Sequence, residues 1–287
     1  MASPRTEERP VTSNVPQIGG ALPRFSWKTS VAVLVILGLT GWSGFGVGFN
    51  LLDLLSGAQP VQSFVSEMFP PDLSAATLQT TFTGVVETFQ MASLGALIGA
   101  VVAFPLAALG TREASTVGAT RARRLALAVP YHVARMLTNV FRSVPDILWA
   151  LIFVVALGLG PFPGMLALAI HSAGVLGKLY SETLEAVPGR PVEALHETGA
   201  SGFGAFLFGR MPQAMTSITS LSLYQWECNL RSATILGFVG AGGIGQEILI
   251  SMQLFDYPKV ATLVGATIIV VLLVDRFSAA LRSRLVN

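Results

Sequence analysis

Residues 147–177 read ILWALIFVVALGLGPFPGMLALAIHSAGVLG, 31 positions without one Asp, Glu, Lys or Arg. A hydrocarbon core about 30 Å thick is crossed by roughly 20 helical residues. The run is therefore too long for one crossing. Its centre, Gly158-Leu-Gly-Pro-Phe-Pro-Gly164, is dense in helix breakers. The reading is two membrane helices joined by a tight turn, about 144–159 and 165–184.

The same test applied outward finds uncharged runs at 31–52 and at 88–111, with Pro105 near the end of the second. Two more helices are predicted over about 212–228 and 258–275. The expected fold is all-α and polytopic, with about six transmembrane helices. Composition agrees: the chain is 52% hydrophobic and 12% charged, whereas soluble domains are about 25% charged. A net charge of +2 gives no basic field for nucleic acid. The single cysteine, Cys228, cannot form an intrachain disulfide and reads as a small buried apolar residue. The first apolar run starts only at Val31, which does not read as a cleaved signal. The organisation expected is a disordered cytoplasmic tail over 1–24, a first transmembrane helix and external loop over 25–80, and a core transmembrane domain over 81–287.

Charge placement orients the crossings. Arg5, Arg9, Arg24 and Lys28 precede the first run; Asp53, Glu67 and Asp72 follow it without a Lys or Arg. Arg112, Arg121, Arg123 and Arg124 mark the next loop, Lys178, Arg190 and Arg210 flank a later one, and Arg276, Arg282 and Arg284 follow the last run. Six crossings with both termini cytoplasmic satisfy all of these loops. The stretch 232–246 is left over. With Gly237, Gly240, Gly242, Gly243 and Gly245 it is too rich in glycine for a stable lipid-exposed helix. Irregular backbone at membrane depth belongs in protein or along a cavity, so the stretch is a candidate part of a pathway or its external gate.

The loop before the fifth helix reads Pro191-Val-Glu-Ala-Leu-His-Glu-Thr-Gly-Ala-Ser-Gly202 and runs on to Arg210-Met-Pro-Gln213. Pro191 and Glu193 suit the start of a short amphipathic helix, and Gly199 and Gly202 suit its end. This segment resembles the coupling signature of bacterial ABC importer permeases: Glu-Ala-Ala, three residues, Gly, nine residues, Ile, one residue, Leu-Pro. Glu193, Ala194, Gly199 and Pro212 match at that spacing, while Leu195 replaces the second Ala, Gly209 the Ile and Met211 the Leu. Three further stretches narrow the resemblance to phosphonate and phosphate importer permeases: Phe141-Arg-Ser-Val-Pro-Asp-Ile-Leu-Trp149, His171-Ser-Ala-Gly-Val-Leu-Gly-Lys178, and Trp226-Glu-Cys-Asn-Leu-Arg-Ser-Ala-Thr-Ile-Leu-Gly237 with Val239-Gly-Ala-Gly-Gly-Ile-Gly245. Together they cover roughly residues 80–285.

The resemblance implies a type I ABC importer permease fold in a bacterial cell membrane, with a cytoplasmic coupling helix (Glu193, Ala194, Leu195, Gly199, Pro212) docked into an ATPase subunit. It also implies a symmetric pair of permeases, two ATPase subunits that hold ATP and magnesium, and an external substrate-binding protein. The chain itself would carry no cofactor. It has no Gly-x-x-x-x-Gly-Lys-Ser/Thr phosphate loop. The implied substrate is phosphonate or phosphate, with methionine, betaine or another small solute as the alternative. An ion-coupled secondary transporter would need internal repeats and a midplane ion site, and no repeat is visible. A membrane enzyme finds no supporting cluster: His132, His171 and His196 are scattered, so no catalytic or metal residues are expected.

Ionisable residues at membrane depth cost about 2.5–3.5 kcal/mol each on insertion scales, and so must face protein, water or a pathway. The candidates are Arg142, Ser143, Asp146, Trp149, Glu227, Arg231, Ser232, Gly240, Gly242 and Gly243. Glu227 and Arg231 are spaced for an i,i+4 ion pair. Arg231 with Ser232 and Thr234 equally suits a tetrahedral oxyanion, and both readings stay open. Trp149 lies on the face of Asp146 or anchors the lipid interface. Gly240-Ala-Gly-Gly-Ile-Gly245 copies a dinucleotide fingerprint, but no strand precedes it and no βαβ unit surrounds it, which excludes that reading.

Overall fold

The computed structural model describes residues 27–50, 58–111 and 121–286. The predicted tail over 1–24 lies outside them, as does Arg112. The chain divides at Pro60 into two units. In the first, helix α1 (Trp27–Gly46) is apolar on every face and buries no residue within its own unit, the pattern of a helix surrounded by lipid.

Among its described residues the second unit has helices and connecting turns, with no strand. Its elements are α2 (Ala58–Glu67, which begins in the first unit), α3 (Ala75–Gly110), α4 (Arg121–Ser143), α5 (Asp146–Leu157), α6 (Pro161–Ala186), α7 (Gly189–Glu197), α8 (Met211–Leu236), α9 (Gly243–Gln253) and α10 (Tyr257–Val286). Among the described residues, four helices (α1, α3, α6 and α10) are long and apolar enough to cross a membrane. The number rises to six if α4 with α5, and α8 with α9, each form one bent crossing.

The central contact is α3 against α6. The buried face of α3 carries Gly84, Thr88, Ala92, Gly95, Gly99, Ala103 and Ala107, small residues about one turn apart. Lipid tails supply no hydrophobic drive between helices, so close van der Waals approach must hold the pair. A Cβ at Gly95 would come 2.8 Å from that of Leu168, and one at Gly99 2.5 Å from that of Ser172. One set of buried polar groups between α6 and α8 is bonded together, as a medium without water favours. Ser172, Gln225 and Asn229 are buried and mutually hydrogen-bonded across α6 and α8, and the Tyr180 hydroxyl meets Ser222.

Asp72 ties the start of α3 to the start of α10. Its backbone N–H donates to Pro258 O (3.1 Å), and its carbonyl accepts from Thr262 Oγ1 (2.7 Å). The Thr77 hydroxyl and the Ser74 backbone N–H donate to its carboxylate and hold that carboxyl below its ordinary range.

The break at 158–164 falls where expected. Helix α5 ends at Leu157, Gly158 and Gly160 take φ of 95° and 136°, and α6 opens with Pro161 in its first turn. Three expectations need correction. The third crossing is not a straight helix over 144–159: α5 has 12 residues, about 18 Å of rise. Helix α4 meets α5 at 89° across Val144-Pro145, because Pro145 removes an N–H and disfavours helix at the residue before it, and only the two together are long and apolar enough for a crossing. The fifth helix does not stop near 228 but runs to Leu236. Residues 232–246 are mostly helical at both ends, with a 3₁₀ turn at Gly237–Val239 before the turn at Gly240–Gly242. Packing on both sides supplies what glycine propensity lacks.

Candidate functional site

Helix α7 presents the coupling signature. Val192 is buried and Leu195 half-buried, while Glu193, Ala194, Glu197 and Thr198 are exposed. Gly199 has φ +84°, and Ala200 N donates to Leu195 O (3.1 Å), the left-handed cap that glycine makes cheaply. The next segment passes through a π-helical turn, Ala205–Arg210. Pro212 cannot donate and would crowd the carbonyl four residues back, and the wider turn accommodates it. The Gln213 side-chain amide donates to Gly209 O (2.5 Å).

The two larger departures from the signature explain each other. A Cβ on Gly209 would lie 2.8 Å from Leu195 Cδ1 and 3.5 Å from Val192 Cγ2, so the leucine that replaces an alanine occupies the space left where an isoleucine became glycine. Leu195→Ala and Gly209→Ile are each expected to destabilise the α7 docking. The double variant should recover most of the loss, with an interaction energy of about 1–3 kcal/mol in a thermal-unfolding cycle on the purified protein. Strict additivity would refute the exchange of volumes.

The proposed pathway residues fall into three groups. Arg142, Ser143, Asp146 and Trp149 gather at the α4–α5 bend. Helix α4 runs antiparallel to α6: Arg135 pairs with Glu185 at 2.8 Å, Thr138 faces Gly177, the backbone of Arg142 faces Gly174, and His171 Nδ1 lies 3.2 Å from Val144 O. The bend thus lies halfway along α6, a membrane-crossing helix of 26 residues. Arg142 and Ser143 are exposed there. The Arg142 guanidinium donates to Asn139 Oδ1 (3.1 and 3.3 Å) and meets no carboxylate within 4 Å among the described residues. Ser143 Oγ donates back to Asn139 O. Asp146 stands in the first turn of α5, where a carboxylate complements the helix dipole. Trp149 is half-buried, donates Nε1–H to Phe141 O (3.2 Å) and stacks on Phe153, an interior role rather than that of a lipid-interface anchor.

Glu227 and Arg231 belong to a second group. Buried Glu227 accepts from Arg231 and from Arg282, both at 3.1 Å, and Arg231 also lies 3.7 Å from Asp275. Two carboxylates face two guanidiniums, so α8 and α10 meet in a charge-balanced network. The i,i+4 pair was legible in the sequence; Asp275 and Arg282 were not. Ser232 follows on α8, half-buried.

The third group is the turn between α8 and α9. Gly240, Gly242 and Gly243 have φ of +85°, +80° and +72°. Gly242 packs on Pro161, and Gly243 on Thr88 and Met91. Gly242 and Gly243 are buried, so this stretch is a packed joint rather than an open wall. Sequence reading missed the buried Ser172–Gln225–Asn229 cluster, although the i,i+4 spacing of Gln225 and Asn229 was a signal for it. It also missed Glu87, whose carboxylate accepts from Gly243 N (3.1 Å).

Residues 114–287 match the binding-protein-dependent transport system inner membrane component family. HtxC of Stutzerimonas stutzeri, a permease protein ascribed to a phosphite transport system, is 36% identical over 89% of this chain and 86% of its own length. PtxC of the same organism, a phosphite transport system permease protein, is 34% identical over 89% of each chain. A solved inward-facing MetNI methionine ABC transporter chain superposes with a TM-score of 0.61 at 21% identity, covering 74% of this chain and 99% of its own, which establishes the fold. The chain is a multi-pass membrane protein with the type I ABC importer permease fold, and it belongs to the family of inner-membrane components of binding-protein-dependent transport systems.

Proposed function

We propose that this chain is the permease of an ATP-driven importer for a phosphorus oxyanion (phosphite, phosphonate or phosphate). Two copies pair across a shared pathway, both termini are cytoplasmic, and α7 docks into an ATPase subunit that binds ATP and magnesium. An external binding protein delivers the substrate. The chain contributes no catalytic residue; nucleotide-driven motion of α7 is passed through the α7–π-turn contact to α8. The basic residues near both ends and the acidic residues after α1 support the orientation. The names of the 36% and 34% identical relatives support the substrate class.

The observation that carries the reading is Arg142. An exposed guanidinium beside the midpoint of a membrane-crossing helix, with no carboxylate partner among the described residues, is costly against lipid. It is stable against a water-filled route along which anions pass. Its fork can grip two oxygens of a tetrahedral anion, with the Ser143 hydroxyl beside it. Arg231 instead has two carboxylates already, so Arg231, Ser232 and the Gly240–Gly243 turn serve as the frame and gate of the route.

The test is uptake by the assembled complex in proteoliposomes, offered phosphite, methylphosphonate and phosphate in turn. Arg142→Ala should lower uptake roughly a hundredfold, the loss of about 3 kcal/mol from a charged hydrogen-bonding partner. Arg142→Lys should restore part of it, because an ammonium lacks the bidentate fork. The double variant Glu227→Gln/Arg231→Gln keeps the network's charge balance and should transport nearly as well as the parent. Normal uptake by Arg142→Ala, or collapse of uptake in the double variant with the complex intact, would reverse these assignments.

A further inference from the structure

We infer that Glu87 and Thr88 of α3 are positioning residues for transport: they cap α9 from outside its own helix and latch the Gly240–Gly243 joint shut. The inference rests on the permease reading above and adds residues that it does not use.

Helix α9 needs such a cap. Its N-cap residue is Gly242, which offers no side chain, and its first backbone N–H groups have no partner within the helix. Gly242 N donates to Gln246 Oε1 (3.0 Å), Gly243 N to Glu87 Oε2 (3.1 Å) and Ile244 N to Thr88 Oγ1 (2.9 Å). Two of the three acceptors thus come from α3, 156 residues away in sequence. Backbone follows backbone here: a Cβ on Gly84 would lie 3.0 Å from Ile244 Cα.

The joint is built to pivot. Three left-handed glycines fall within four residues, and α8 and α9 meet at 40°. Ile244 and Ile248 of α9 are buried with Val260 and Leu263 of α10, so α9 is held to α10 by apolar packing and to α3 by the cap. Glu87 is half-buried and lines an open polar cavity of about 390 Å³ with Gln79, Thr80, Thr83 and Glu247. Water in that cavity can solvate the carboxylate once Gly243 leaves it, so the latch opens without stranding a buried charge. Contacts made in one state only shift the equilibrium toward that state. Removing the cap should therefore favour the state in which α9 has parted from α3.

The test uses the full complex with its ATPase subunits, carrying Glu87→Ala, Glu87→Gln or Thr88→Val. Glu87→Ala should raise ATP hydrolysis in the absence of binding protein roughly tenfold and lower maximal uptake while leaving KM unchanged. Glu87→Gln should fall between, since its amide oxygen still accepts from Gly243 N. Spin labels at Phe82 and Ile250 in the parent should report a longer α3–α9 distance with a trapped ATP analogue than without nucleotide. The latch is refuted if assembled Glu87→Ala and Thr88→Val keep the parental ratio of hydrolysis to uptake. Should the variants fail to assemble, an unchanged label distance in the parent refutes it and a lengthened one supports it. If the parent carries no phosphorus oxyanion, the substrate reading falls while the distance measurement still decides the latch.

Discussion

Membranes from cells producing Gly245→Ala are expected to contain almost none of the protein. A Cβ at Gly245 would overlap the carbonyl oxygen of Thr234, and one at Gly237 would meet the backbone of Gly245 and Gln246. Backbone contacts backbone on both sides, so no rotamer change can make room. The cost should exceed the 1–3 kcal/mol typical of overpacking, because relief requires parting α8 from α9. Gly265→Ala is the matched control: it makes the same chemical change inside α10, where a Cβ meets nothing within 4 Å, and should accumulate like the parent. Immunoblots of membrane fractions read both variants. Parental levels of Gly245→Ala would show that the joint is looser than its geometry indicates.

Ala194→Glu should leave the protein inserted and folded yet unable to hold its ATPase partner. Ala194 is exposed on α7, away from the face that buries Val192, so a longer side chain there has room among the described residues. In a docked groove it would place bulk and charge where a small residue belongs. Losses at the centre of an interface reach about 2 kcal/mol or more, roughly thirtyfold in affinity. Co-purification with the ATPase subunit should collapse, and uptake with it. Gly199→Glu is a poorer probe. At φ +84° any β-carbon strains the backbone by about 1–2 kcal/mol, so its effect would mix a broken cap with a blocked groove. Gly199→Asn, which tolerates the left-handed region, should retain most activity and separate the two. Normal co-purification of Ala194→Glu would remove α7 from the ATPase interface.

Much of the molecule was readable from local features. The run over 147–177 and its breakers located the α5–α6 turn because glycine and proline act within a residue or two of where they stand. The coupling segment was legible because caps and amphipathic spacing are local as well, and α7 lies at Gly189–Glu197. Helix α4 was missed. Its apolar residues are interleaved with Arg121, Arg123, Arg124, Arg135 and Arg142, so it fails a test for uncharged runs and is long and apolar enough for a crossing only together with its bent continuation in α5.

The candidate site divides along the same line. Composition, uncharged run length and charge placement determined an all-α membrane protein, and motif spacing its kind, because insertion energies and helix signals are summed along the chain. Which ionisable residues were paired across helices depended on partners far away in sequence. Arg231 meets Asp275 as well as Glu227, Glu227 meets Arg282, and α9 takes its cap from Glu87 and Thr88. Only the tertiary structure decided these, because electrostatic pairing and backbone capping act over a few ångströms of space, whatever the separation along the chain.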